Sequence, residues 1–128
     1  MNEIAIYPSL KDRVVLITGG ASGIGESIVE QFISQKSKVA FLDINEEQGI
    51  ELTKKIKNKY NANCLFVKCD LKNIAELKSS LEKVKKEIGP ISILVNNAAN
   101  DERHDLDSVT PEYWDDRMNI NLRHYFFA

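Results

Sequence analysis

Val14-Val15-Leu16-Ile17-Thr18-Gly19-Gly20-Ala21-Ser22-Gly23-Ile24-Gly25 runs from a continuous apolar stretch, through a glycine-rich turn, into an amphipathic segment reaching about Lys36. A short unbroken apolar run suits a strand buried on both faces of a parallel sheet. Ile24, Ile28 and Phe32 then recur every four residues, which is a helical period. Residues 39–42, 65–67 and 91–95 are further apolar runs, and helical periods lie between them. Leu52, Ile56 and Tyr60 mark the second helix; Leu77, Leu81, Val84 and Ile88 mark the third. The third is predicted to end at Gly89, in the left-handed C′ conformation, with Pro90 blocking continuation. Thr110-Pro111, a capping residue and then proline at the first helical position, opens a fourth helix. That helix carries Trp114, Met118, Leu122 and Tyr125 along one side. The order βαβαβαβα with right-handed crossovers predicts an α/β fold, a doubly wound, Rossmann-like parallel sheet of strand order 3-2-1-4. All of residues 1–128 then belong to one domain.

Composition narrows the function classes. Apolar residues make up 43% of the chain and charged ones 28%, with a net charge of −2, so no field points to nucleic acid or an anionic membrane. No apolar run approaches a membrane span, and residues 1–9 lack the basic start and apolar core of a signal peptide. Cys64 and Cys69, an odd number of positions apart in an expected strand, should point to opposite faces. They read as small buried hydrophobes in a reducing cytoplasm, and no His, Asp or Glu spacing resembles a metal site.

The glycine turn carries the chemistry. Gly19 permits a tight turn, Gly23 leaves room for an approaching pyrophosphate, Gly25 lets the helix pack close to the sheet, and Ser22 can add a hydroxyl donor. The spacing Thr-Gly-x-x-x-Gly-x-Gly differs from G-x-G-x-x-G, and the lack of a following lysine excludes a P-loop. Asp43 ends the next strand, where its carboxylate can accept hydrogen bonds from both hydroxyls of an adenosine ribose. It would also repel a 2′-phosphate by about 4 kcal/mol at about 4 Å and an effective dielectric near 20. A third of that is still about tenfold in affinity, so NAD is expected over NADP. Asp70 and Asn96-Asn97-Ala98-Ala99 follow the other two strands, so every strand ends in glycine, acid or amide at the edge where open α/β sheets bind ligands.

With these residues in order, the chain resembles the short-chain dehydrogenase/reductase family over residues 10–128. The carrying motifs are the glycine loop, Asp43, Cys69-Asp70-Leu71, Leu94-Val95-Asn96-Asn97-Ala98-Ala99 and Asn119-Ile120-Asn121-Leu122. The resemblance implies that Ile24 and Ile44 join the cofactor contacts and that Asp70 and Leu71 border the adenine. It also implies that Asn97, Ala98 and Ala99 line the nicotinamide-side ribose, and that Asn121 organises a proton-relay water. Two positions depart from the family pattern: Ala99 stands where glycine is usual, and the turn into the second strand is Lys36-Ser37-Lys38. The segment from Asn97 to His104 looks like that of members acting on aldoses and polyols, with Asn100 and Arg103 as candidate hydrogen-bonding groups. His104 and His124 read as surface or structural residues.

Hydride transfer to a carbonyl needs a group that moves the oxygen's proton and donors that stabilise the developing oxyanion. In the family a serine and a Tyr-x-x-x-Lys pair do this, on later elements. Tyr7 and Lys11 match the bare spacing, but they precede the first strand and span a proline. The expectation is an NAD-dependent oxidoreductase truncated before its catalytic half and inactive as these 128 residues. The alternative is a non-catalytic dinucleotide-binding module or gene remnant. Residues 91–95, as an apolar sheet edge, and Tyr125-Phe126-Phe127 predict self-association, as a homo-oligomer or through that edge.

Overall fold

The structure, a computed structural model, describes residues 4–128. Residues 1–3, the start of the segment read above for a leader, lie outside it. Four parallel strands form one sheet in the order β3-β2-β1-β4. They are β1 (Val14–Thr18), β2 (Lys38–Asp43), β3 (Leu65–Lys68) and β4 (Ile93–Val95), and the helices between them are α1 (Gly23–Ser34), α2 (Glu46–Tyr60) and α3 (Ile74–Ile88). After β4 the chain makes a loop and enters α4 (Pro111–Met118), a π-helical stretch (Asn119–Arg123) and a last turn, α5 (His124–Phe127). The expected fold and strand order are those observed.

The sheet is buried on both faces because its strands are apolar at successive positions. Val15, Ile17, Val39 and Phe41 pack with Val29, Ile33, Leu52 and Ile56 on the α1/α2 face. Leu16, Ala40, Leu42 and Val67 pack with Leu77 and Val84 on the α3 face. Cys64 and Cys69 do fall on opposite faces, although they flank β3 rather than lie in it.

Helix ends follow their side chains. Asn45, Asn73 and Thr110 cap α2, α3 and α4, each accepting the backbone N–H three residues on. Lys55 and Lys59 of α2 pair with Glu30 of α1, whose carboxylate also accepts the Tyr60 hydroxyl at 2.8 Å. Those two ammonium groups hold the Glu30 carboxyl at a pKa of about 2.

Several expectations need correction. Ile24 shares the period of Ile28 and Phe32, yet it is 76% exposed, because α1 buries Gly25, Val29 and Ile33 while Ile28 and Phe32 only flank the core. Gly89 has positive φ (110°) but ψ of −179°, a glycine-only extended geometry rather than the left-handed helical one. The residue that does end a helix in the left-handed region is Asn61, after α2. Beta4 is shorter than residues 91–95, since its pairing with β1 begins only at Ile93. The fourth helix is split by the π-helical stretch, and its apolar side faces outward: Trp114 and Leu122 are exposed. Lys36 replaces a turn glycine at the cost of a positive φ of 63°. Ala99 needs no such geometry, so its methyl group is accommodated.

Candidate functional site

Beyond the carboxyl ends of the strands lies a cleft of about 660 Å³. It gathers Gly19, Ser22, Gly23, Ile24, Gly25, Asp43, Ile44, Asp70, Leu71, Asn97, Ala98 and Ala99, so all twelve residues expected at the cofactor from sequence meet here, together with Asn100. Asn121 does not line it; its neighbour Ile120 does. A second groove of about 440 Å³ runs along the free edge of β4 beside Leu81 and Lys85, and brings no comparable set of polar groups together.

The glycine turn forms the centre of the cleft. Gly19 and Gly20 donate their amides to the Leu42 carbonyl, at 2.7 and 3.3 Å, which ties the turn to β2. The first-turn amides of α1 have no carbonyl four residues back in the helix, and the Ser22 hydroxyl does not cap them. They are donors free for an anion, at the positive end of the helix. A Cβ on Gly23 would meet nothing within 4 Å, and its φ is +57°, so the space above it is open. Gly25 differs from its expected role. A Cβ there would collide with the Gly19 carbonyl and come within 2.7 Å of Asn97 Nδ2, so it is the glycine turn, not the sheet, that needs Gly25 bare. These open amides, with no side chain above Gly23, fit the pyrophosphate of a dinucleotide.

Beta2 places Asp43 to one side of the turn. Its Oδ2 accepts the Ala21 amide and its Oδ1 the Asn45 amide, both at 3.0 Å. Each oxygen keeps a second lone pair, so the anchored carboxylate can still accept two hydroxyl groups. Beta3 brings Asp70 to the same side; its Oδ1 accepts the Lys72 amide at 3.0 Å. Leu71 lines the cleft as well, and its side chain packs into the α3-side core. Ile44 and Ile24 are exposed at the rim as apolar walls.

Beta4 supplies the opposite side. Thr18 Oγ1 accepts the amides of both Asn97 and Ala98, at 3.0 and 3.1 Å, and Asn97 Nδ2 donates to the Thr18 and Gly19 carbonyls. Asn97 therefore builds the turn rather than offering its amide to a ligand. Asn121 clamps the backbone of Asn100, accepting its N–H at 2.7 Å and donating to its carbonyl at 2.9 Å. It sits in the π-helical stretch, a widened turn of a kind frequent at functional sites. In the loop above, Asn100 Oδ1 accepts the Glu102 amide, Arg103 is exposed, and His104 Nδ1 lies 2.8 Å from the Tyr113 hydroxyl.

Three residues that were not expected at the site from sequence support this side. Thr18 is fully buried as the shared acceptor just described. His124, also fully buried, places Nε2 at 2.7 Å from the Ile120 carbonyl and 3.2 Å from that of Ala98. Burial pushes its pKa down from the ordinary value. The Tyr125 hydroxyl donates to the same Ala98 oxygen at 3.2 Å. Thr18 stood inside the quoted glycine stretch and could have been noticed; nothing local marks His124.

The family model for short chain dehydrogenases matches residues 13–128. A probable galactose dehydrogenase of Rhizobium meliloti is 41% identical over 94% of this chain and 47% of its own length. A D-xylose 1-dehydrogenase of Caulobacter vibrioides is 46% identical over 97% of this chain and 48% of its own. A blue fluorescent protein from a metagenomic library, solved in complex with NADPH, is 28% identical with a TM-score of 0.86, over 93% of this chain and 49% of that one. The chain thus spans about half the length of the curated relatives it matches.

Proposed function

The chain belongs to the short-chain dehydrogenase family, and from that premise we propose that it forms the cofactor-binding part of an NAD-dependent oxidoreductase acting on an aldose or related polyol. Membership carries the coarser statement, an oxidoreductase domain that binds a nicotinamide dinucleotide. The choice of NAD rests on one observation: an Asp43 carboxylate anchored by two backbone amides beside the glycine turn. A relative's likeness can support either cofactor, since the metagenomic structure holds NADPH. A fixed anion on the ribose side of the cleft favours free hydroxyls over a phosphate.

In this reading the α1 amides beside Gly23 would hold the pyrophosphate, with Ser22 adding its hydroxyl. Asp43, Ile44, Asp70 and Leu71 would hold the adenosine, and Asn97, Ala98 and Ala99 would line the nicotinamide ribose. The bound dinucleotide supplies a hydride acceptor or donor. The chain's own contribution is to hold it, to wall the cleft with Ile24 and Ile44, and to fix the loop after β4 through Asn121. The galactose and xylose dehydrogenases that the chain resembles, and the polar Asn100 and Arg103 on that loop, support a polyhydroxylated substrate. NAD reduction by the complete gene product across a panel of aldoses tests this. Turnover of at least one aldose is expected, and none with any aldose or polyol would contradict it.

These residues by themselves are proposed to bind the cofactor weakly at best and not to turn over substrate. Among the described residues no Tyr-x-x-x-Lys pair lies at the cleft, and Tyr7, which matches the bare spacing, is exposed in the segment before β1. A cytoplasmic location is proposed on the cysteines, since Cys64 and Cys69 are free thiols on opposite faces of the sheet. No helix among the described residues is long and apolar enough to cross a membrane. Self-association is proposed through the free β4 edge, where Leu94 is half-exposed, and the exposed Phe126. Sedimentation at tens of micromolar tests it; a strictly monomeric species counts against it.

A further inference from the structure

Ala98 is held on both sides. Its amide donates to Thr18 Oγ1 at 3.1 Å, and its carbonyl accepts from Tyr125 Oη and faces His124 Nε2, each at 3.2 Å. Its Cα lies so near the glycine turn that a Cβ on Gly19 would stand 2.9 Å away. A small displacement of Ala98 is therefore felt directly at Gly19. We propose that His124 is a positioning residue for the dinucleotide cleft: its neutral imidazole fixes Ala98, and through Ala98 the nicotinamide-side wall and the turn at Gly19.

The protonation state follows from the partners. Nε2 faces two carbonyl oxygens, Ala98 and Ile120, so it carries the proton and donates to both. Nδ1 is buried with no partner among the described residues, and a second proton there would place an N–H where none of them accepts it. The lowered pKa of the ring agrees. A phenyl ring would fill the same space without a polar atom, so burying an imidazole is explained by the one donor it brings. The Tyr125 ring packs edge-on against it at 4.5 Å, which fixes the direction of that donor.

This inference rests on the dinucleotide reading above, and the test separates the two. In the complete gene product, NADH is titrated by fluorescence and adenosine monophosphate by ligand-observed NMR, for wild type, His124→Phe, His124→Gln and Tyr125→Phe. His124→Phe keeps the ring and loses the donor. It should bind NADH about tenfold more weakly, while the adenosine monophosphate reached by Asp43 changes less than about twofold. His124→Gln, whose amide N–H can reach the same carbonyls, should recover NADH binding to within about threefold. Tyr125→Phe, which loses only the second donor, should weaken NADH about two- to threefold. A folded His124→Phe that binds NADH as wild type does, or loses both ligands in equal proportion, overturns the proposal. If His124→Phe does not fold, Tyr125→Phe decides, and unchanged NADH affinity there overturns it. A wild type that binds no NADH sinks the dinucleotide reading itself; wild-type binding with indifferent variants sinks only the role of His124.

Discussion

Gly23→Ala and Gly25→Ala add the same methyl group two residues apart, and the structure predicts opposite outcomes. At Gly25 the new Cβ would collide with the Gly19 carbonyl oxygen and stand 2.7 Å from Asn97 Nδ2. Neither neighbour yields easily: one is backbone, and the other is bonded to the Thr18 and Gly19 carbonyls. Forcing them apart should cost about 3 kcal/mol or more, the upper end for overpacking. At Gly23 the Cβ meets nothing, and the penalty is the positive φ of 57°, about 1–2 kcal/mol for a residue with a side chain. Part of that is returned by the lower entropy of the unfolded alanine chain, about 0.4–1 kcal/mol. Gly23→Ala should therefore melt within a few degrees of wild type, whereas Gly25→Ala should melt far lower or not fold. Yet the Gly23 methyl occupies the space assigned to the pyrophosphate, so NADH affinity should fall at least tenfold in a protein that remains folded. Thermal melts and NADH titrations of the complete gene product read both effects. A folded Gly23→Ala with wild-type NADH affinity refutes the placement of the phosphates. A Gly25→Ala that melts like wild type refutes the packing argument.

Three further outcomes follow from the charges and caps. Glu30→Gln should cost about 1 kcal/mol at neutral pH, the scale of a small exposed ion-pair network. Because folding lowers the Glu30 pKa from 4.5 to about 2, that contribution is present above pH 4.5 and disappears as pH falls through about 2. A difference between wild type and variant that persists undiminished at the acid end would contradict it. Burial holds His124 below its ordinary 6.5, so the unfolded chain takes up the proton first and stability falls as pH drops below about 6.5. Denaturant melts between neutral and mildly acid pH should show this slope flattened in His124→Gln. Equal slopes would place the acid sensitivity elsewhere. Asn121→Ala removes both hydrogen bonds to the Asn100 backbone, about 1 kcal/mol net for a partly exposed pair. Hydrogen exchange at the Asn100 amide should accelerate, and unchanged protection would mean the clamp does not hold in solution.

The sheet was legible because each strand is apolar at consecutive positions, which only a doubly covered parallel sheet rewards. The site was legible because its residues fall where strands end, a local property that survives folding unchanged. Helix faces were harder. Ile24 fits a helical period, but whether it turns inward depends on where α1 lands on the sheet, and tertiary packing put Gly25, Val29 and Ile33 there instead. The period of Trp114, Met118 and Leu122 likewise marks a common side without saying whether these residues bury it. Gly25 was assigned to the sheet because the sequence does not show how the turn folds back, which brings the Gly19 carbonyl against it. The link from His124 to the cleft was not legible because Ala98 lies far along the chain, and no spacing records that a buried ring needs one proton and not two.

On the proposed function, the fixed Asp43 carboxylate selects the unphosphorylated dinucleotide. Titration of the complete gene product with NADH and NADPH, side by side at the same moderate ionic strength, measures it directly. The Asp43 geometry predicts tighter binding of NADH by about tenfold or more, with the gap closing in Asp43→Ser. Equal affinities, or a preference for NADPH, would contradict the account.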